Sequence, residues 1–261
     1  MPKAIDHKAI KKYYLAKPMS IERVAKHFNL CNVTVSRSLK KSGCHIYTRQ
    51  ELLQENLKVD YFENIDSENK AYLLGLFMTD GCIFKNKNKN SLLFSIQLQG
   101  RDCNMISWIK KELQAPRKIV IDKRDNSESL SIINDSFINN LIDHGMTSPK
   151  NKRGIPDIPD KLMSHFLRGF FDGDGSLVIE KSQNKIKKSV VFIGTYEQLN
   201  FIKQLFANLF NVNDVKIRFE DSIYMVKWRR KRDIRNICSY LYNNSHIYLQ
   251  RKYNRYLKYV A

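Results

Sequence analysis

The chain has 261 residues, long enough for two or three modest domains with real cores. Lys and Arg outnumber Asp and Glu by 45 to 26, a formal net charge of +19. A surplus that large points to a polyanion, because neutralising phosphates releases counterions, and the longest apolar run, around residues 71–78, is far too short for a membrane helix of ~20 residues. No signal-peptide pattern opens the chain. The five cysteines are scattered and never spaced Cys-x-x-Cys, so reduced intracellular thiols are expected, with neither a disulfide framework nor a zinc site. The six histidines form no ligand spacing either.

Residues 5–49 read as a small helical unit. Ser20 can cap a helix whose apolar face is Ile21, Val24, Ala25 and Phe28. Asn29 stands where a sharp turn needs positive φ, which Asn tolerates. A second helix then runs from about 32 to 41, burying Val35 and Leu39, with Gly43 at its end. The pattern is similar to helix-turn-helix modules of DNA-binding proteins. That resemblance implies Asn32, Val33, Ser36 and Arg37 facing the major groove and Lys40 and Lys41 near phosphates. A helical hairpin without a DNA role is the alternative. Residues 50–69 look like a linker, in which Ser67 or Asp66 could cap the next helix.

Leu73-Leu-Gly-Leu-Phe-Met-Thr-Asp-Gly81 is an apolar helical segment that stops at an acid followed by glycine. After Gly81 the period changes to two. Residues 82–84 lead through a Lys/Asn-rich tip at 85–90 into residues 91–99, where Phe94, Ile96 and Leu98 alternate with Ser95, Gln97 and Gln99. An amphipathic helix over 102–113, a hairpin of strands 118–122 and 129–133, and a short helix over 137–141 complete a unit.

The second half repeats the order. Leu167-Arg-Gly-Phe-Phe-Asp-Gly-Asp-Gly175 is followed by strands at 177–179 and 189–193, a helix over 196–210, strands at 215–219 and 223–228, and a helix over 234–242. An internal duplication is the economical explanation. In each apolar segment a glycine (Gly75, Gly169) is followed four residues later by another small residue (Thr79, Gly173), on the same helix face. Such faces let two backbones approach closely, so the two helices are expected to pack on each other. Asp80 and Asp174 would then lie side by side at the negative ends of two helix dipoles, a costly arrangement without a cation. Gly81 and Gly175 are placed as the residues that leave each helix.

The doubled motif resembles that of the LAGLIDADG homing endonucleases, in their monomeric two-motif form. The resemblance covers roughly residues 60–260. The fold it implies is α+β: two pseudo-symmetric αββαββα units forming a DNA-binding saddle, preceded by a small all-α helix-turn-helix domain. The boundaries are 1–60 for the amino-terminal module and linker, 61–160 for the first unit and 161–261 for the second. The implied activity is site-specific hydrolysis of both strands of duplex DNA with Mg2+ or Mn2+. Divalent metals can activate water and stabilise the leaving oxygen, and Mg2+ needs only one or two carboxylates besides phosphates and water.

By resemblance, Asp80 and Asp174 are metal ligands, joined by the backbone carbonyls of Thr79 and Gly173. Lys150 and Lys252 correspond to a lysine near the attacking water, where it offers positive charge. Gln97 is the candidate for orienting that water. Gln99, Lys227, Arg229 and Arg230 are candidate DNA contacts, although charge runs are often only solvated. Asp172 has Met78 as its counterpart and is left out of the chemistry. The expected partner is duplex DNA with a long site, bound by a monomer in the cytoplasm of a bacterium or phage-infected host, an organelle being the other compartment left open. Without splicing residues at its ends, a free-standing enzyme is expected over an intein. The competing readings are a DNA-binding regulator on a retired nuclease scaffold and an RNA maturase.

Overall fold

The computed structural model describes residues 5–16, 19–48, 52, 56–86, 91–182 and 185–260. It divides into two compact units, Met1–Leu57 with Gln114–Pro116, and Lys58–Leu113 with Arg117–Ala261. The middle of the Lys/Asn-rich tip, 87–90, and residues 183–184 of the second such turn lie outside the described residues.

In the smaller unit three helices, α1 (His7–Ala16), α2 (Ile21–Phe28) and α3 (Asn32–Lys41), enclose a core of Ile10, Tyr14, Val24, Ala25, Val35 and Leu39. Ser20 Oγ accepts from Arg23 N at 3.3 Å, capping α2. Asn29 ends that helix in the left-handed region at φ 52°, so the chain turns sharply into α3.

The larger unit holds the duplication. Helix α4 (Glu68–Asp80) leads into β1 (Gly81–Asn86) and β2 (Ser91–Gln99), α5 (Cys103–Glu112), β3 (Val120–Asp122), β4 (Ser127–Ile132) and α6 (Asp135–Asp143). Helix α7 (Asp160–Asp174) opens the second copy, followed by β5 (Ser176–Ser182), β6 (Lys185–Gly194), α8 (Tyr196–Phe210), β7 (Arg218–Glu220), β8 (Ile223–Trp228) and α9 (Lys231–Tyr242). Each copy makes an antiparallel four-stranded sheet, in the orders β1-β2-β4-β3 and β5-β6-β8-β7. Register decides the faces. Phe94 opposes Ile132 and Ile96 opposes Leu130, all buried, whereas Gln97 and Gln99 are exposed on the other face. The same logic buries Val190, Phe192, Val226 and Trp228 and puts Lys227, opposite Val191, on the face away from them.

Several elements differ from expectation. The outer strands β3 and β7 begin two or three residues late, and a further helix, α10 (Gln250–Val260), follows α9. Ser67 stands at the start of α4 without a side-chain cap, and Asp66 pairs instead with Lys70 at 3.0 Å. Gly81 and Gly175 do leave their helices, but in extended conformation at φ −80° and −84°, not left-handed. They are glycines for space. A Cβ at Gly81 would meet Phe77 O at 2.6 Å, and one at Gly175 the Phe171 ring at 2.1 Å.

The two motif helices α4 and α7 pack directly together. A Cβ at Gly75 would lie 2.0 Å from Phe166 O, and one at Gly169 would lie 1.9 Å from Tyr72 O. These neighbours are backbone, which cannot swing aside. Gly75→Ala and Gly169→Ala are therefore each expected to cost about 3 kcal/mol, the upper end for overpacking. Urea unfolding checks this, with Gly154→Ala, where no atom lies within 4 Å of the added carbon, as a near-neutral control.

Candidate active site

The close approach carries both helix C-termini to one place. A Cβ at Gly173 would fall 1.9 Å from Thr79 Oγ1 and 2.9 Å from Asp80 Oδ2, so the end of the first helix leans on the backbone of the second. Thr79 fits because position 173 has no side chain, and its hydroxyl turns back to donate to Leu76 O at 2.9 Å. Burial, and then the charge of Asp174, raise the Asp80 carboxyl to about 7. Asp174 is raised as well, by burial, against the pull of Lys150, Lys252 and Arg153. It presents more of its surface to water than Asp80 does, so Asp80 is the carboxyl that holds a proton most readily.

Cations surround the helix ends, though not as the two repeats would suggest. Lys252, 3% exposed, donates to Phe171 O at 2.6 Å, Gly173 O at 3.2 Å and Gly175 O at 2.6 Å. Burial pushes it down to about 8, yet three carbonyls take three N–H donors, which only the ammonium supplies; we take it as charged at neutral pH. In the first copy the matching carbonyls are Phe77 O, Thr79 O and Gly81 O, and two cations share them. Arg153, 1% exposed, donates through Nη1 to Phe77 O at 3.5 Å and Gly81 O at 3.2 Å, besides Met78 O at 2.7 Å, and through Nε to Thr147 O at 2.8 Å. Lys150, exposed, donates to Thr79 O, the match of Gly173 O, so it makes the contact expected of a counterpart of Lys252 while Arg153 takes the other two.

Other expected residues sit elsewhere. Extending the β1–β2 register past Gly81 opposite Ile96 puts Gln97 beside the end of α4, but its amide donates to Ser127 Oγ at 2.6 Å. The same position in the second copy is Ile193. Gln99 lies two residues along the same exposed face. Lys227 pairs with Glu180 at 3.2 Å, Arg229 is exposed, and Arg230 begins α9 and bonds the Asn213 side chain. Asn32, Ser36, Arg37 and Lys40 line one groove of the smaller unit together with Val33, which is 62% exposed; Lys41 is exposed outside it.

Asp172 is structural. Fully buried, it accepts from Tyr72 Oη at 2.8 Å, Tyr242 Oη at 2.7 Å and Leu249 N at 2.7 Å, tying the two copies together. Fully buried Arg168 does the same, donating to Glu68 at 2.7 Å, Ile247 O at 2.8 Å and Leu241 O at 3.0 Å. A signal for the first existed. Where one motif helix has Tyr72 and Met78, the other has Phe166 and Asp172, so a twofold axis brings the hydroxyl to the acid.

Among the described residues no group of three or more His, Cys, Asp or Glu is placed to hold a metal. What the helix ends offer is an all-oxygen set: two carboxylates with uncompensated charge, plus Thr79 O and Gly173 O, each with a lone pair beyond its lysine contact. That set fits Mg2+, which keeps several waters and takes the rest from substrate phosphates.

The same fold recurs in known structures. I-LtrWI bound to target DNA superposes with a TM-score of 0.52 at 13% identity, covering 78% of this chain and 91% of that one. The chain has the fold of the LAGLIDADG homing endonucleases. I-AabMI bound to uncleaved DNA (TM-score 0.54, 17% identity, 72% and 88% covered) and I-SmaMI bound to an uncleaved target with calcium (0.54, 13%, 75% and 90%) share the LAGLIDADG architecture. No family model matches the chain. In sequence it is 27% identical to a DNA polymerase of Acanthamoeba polyphaga mimivirus over 67% of this chain, spanning about a tenth of that protein's length.

The division of labour between Arg153 and Lys150 is testable by stability. Arg153→Met strips donors from buried carbonyls and should cost about 3 kcal/mol, whereas Lys150→Met, at an exposed site, should stay within about 1 kcal/mol. Thermal or urea unfolding of the two variants separates them; equal losses would mean that both cations hold the helix end.

Proposed function

We propose that this chain is a LAGLIDADG homing endonuclease: a metal-dependent enzyme that hydrolyses both strands of a specific duplex DNA. The observation that carries this reading is the pair of carboxylates, Asp80 and Asp174, held together at the ends of two helices in backbone contact, with no need of a charged pair there except to bind a cation. Asp80 and Asp174 would hold the metal with Thr79 O and Gly173 O. The ion, when bound, supplies an activated water and charge stabilisation at the leaving oxygen.

The chain's own side chains then do the remaining work. Lys252 and Arg153 fix the carbonyls that orient each aspartate. Exposed Lys150 offers positive charge to the phosphate that is cut in the first half. Exposed Gln97 and Gln99 on one sheet, and Lys227 and Arg229 on the other, lie on sheet faces turned away from the core, where duplex DNA would run.

In the same reading the amino-terminal unit is a helix-turn-helix. The α3 groove lined by Asn32, Val33, Ser36 and Arg37 would take the major-groove edge, with Lys40 and Lys41 on phosphates. The net charge of +19 supplies sequence-independent attraction to the same partner.

Three outcomes are expected. Wild-type protein should linearise a defined subset of a randomised plasmid library only with Mg2+ or Mn2+. Asp80→Asn and Asp174→Asn should each leave that subset nicked, and the double variant should leave it intact. Specific binding without any cutting, equal in wild type and double variant, would replace the enzyme with a regulator.

Because Asp80 titrates near 7 without metal, it is protonated below that pH and must lose its proton to bind a cation. Apparent Mg2+ affinity, read calorimetrically with proton release, should fall up to about tenfold for each pH unit below 7 and level off above 8. In the amino-terminal unit, Arg37→Ala should weaken binding to the specific site by about 1–3 kcal/mol, whereas Lys41→Ala should reduce the salt slope by about one for every sequence. Titrations across ionic strength check both.

A further inference from the structure

A second surface opens onto the same centre. A cleft runs from Thr79 and Asp174 along the end of the second sheet, with Lys150 and Lys152 on one wall and a set of exposed aromatic rings on the other. Tyr196 is 55% exposed, Phe219 61% and Tyr224 36%. The rings already touch each other, Phe219 and Tyr224 at 4.7 Å between centroids and Tyr196 edge-on to Tyr224 at 5.8 Å. Phe219 and Tyr224 are cross-strand partners at the short outer strand β7, so the platform is set by sheet register. Tyr224 lies on the strand face of buried Val226 and Trp228, so the rings extend past the closed core at its exposed edge.

The first copy lacks the feature. Ile121 and Glu128 form the cross-strand pair that matches Phe219 and Tyr224, and the start of α5, which matches the start of α8, carries buried Asp102, paired with Arg251 at 2.8 Å. Glu128 in place of a ring repels a phosphodiester strand. The asymmetry therefore singles out the second half.

Aromatic faces beside cations are how proteins hold single-stranded nucleic acid: bases stack on rings, and phosphates meet the charge. Continuity with Asp174 and Thr79 identifies the strand, since whatever enters the cleft is joined to the bond being cut. We propose that this cleft binds unpaired nucleotides next to the cleavage point, with bases on Phe219 and Tyr224 and backbone along Lys150 and Lys152, so that one cut end is retained by the second half of the protein. The inference rests on the endonuclease reading for its source of single strand. Glu197 on the ring side opposes a phosphate and limits the affinity.

The test uses the full chain and a short single strand of thymidylates carrying one 2-aminopurine, whose fluorescence is quenched on stacking. Wild type should quench it, and Phe219→Ala with Tyr224→Ala should abolish the quench and weaken binding about tenfold. Lys152→Glu should weaken binding without removing stacking, and Glu197→Gln should strengthen it. Val120→Ala with Ile121→Ala, the exposed apolar pair of the first half, should change nothing. Because these side chains lie at the exposed edge of the sheet, every variant should stay folded, with at most a small shift of its unfolding curve. As a second readout, bromodeoxyuridine photocrosslinking should place the adduct on Tyr196, Phe219 or Tyr224. An unchanged quench in the ring variant, or adducts confined to other surfaces, overturns the proposal. If plasmid is cleaved and the rings prove irrelevant, the cleft fails and the endonuclease stands; if the rings stack the probe and no plasmid is cut, the endonuclease fails and the cleft remains a single-strand site.

Discussion

Two peptide backbones in contact govern this molecule. Gly75 sits against Phe166 O and Gly169 against Tyr72 O, and with no side chain between them the helix axes close on each other. Everything at the site derives from that approach. It brings two helix C-termini together, each with exposed carbonyls and negative dipole ends, and adds Asp80 and Asp174 to the same spot. The cost shows in the Asp80 carboxyl, raised to about 7 by burial first and by the charge of Asp174 second. Part of it is offset within the chain by Arg153 and Lys252, whose protons satisfy the carbonyls that the helices leave over. Neither cation bonds the carboxylates themselves, and that residual charge is what a metal ion would neutralise.

Much of this was legible in the sequence because it is written in local rules. The glycine face, the terminal Asp-Gly and their repetition required only helical periodicity. Alternation in residues 94–99 fixed which sheet face is wet, and Ser20 and Asn29 marked both ends of α2. The exact span of α8 was readable too, since Thr195 and Gln198 form a reciprocal capping box at its start and Asn211 turns left-handed at its end.

What escaped were the long-range polar contacts. Nothing in the local pattern around Arg153 says that its guanidinium is buried under a helix seventy-odd residues away, where it shares with Lys150 the carbonyls matching those that Lys252 takes alone in the second copy. Helix α10 was missed for a related reason. Its face is built from Tyr253, Tyr256 and Tyr259, rings with polar ends in a segment of low mean hydropathy, so its amphipathic spacing does not read as an apolar core face although Tyr256 and Tyr259 are buried. Gly81 and Gly175 were correctly placed, but the reason lay in packing against Phe77 O and the Phe171 ring, which only tertiary structure supplies.

Joining both copies in one chain frees them to diverge, and the divergence is concentrated at the centre. A dimer of identical single-motif chains would need the same residue on both sides of its axis. Here Tyr72 meets Asp172 while the symmetry-related positions are Phe166 and Met78, all four buried. That single polar lock replaces a symmetric pair, and a symmetric pair of buried acids across so close an interface would have added a second uncompensated charge beside Asp80 and Asp174. The same freedom gives Gln97 one side and Ile193 the other, Arg153 one helix end and Lys252 the other. Both side chains are charged at neutral pH, but burial has moved the Lys252 ammonium down to about 8, whereas a guanidinium keeps its charge far above that. The two halves thus carry unlike cations at matching helix ends, a difference that two identical chains about a symmetry axis cannot have.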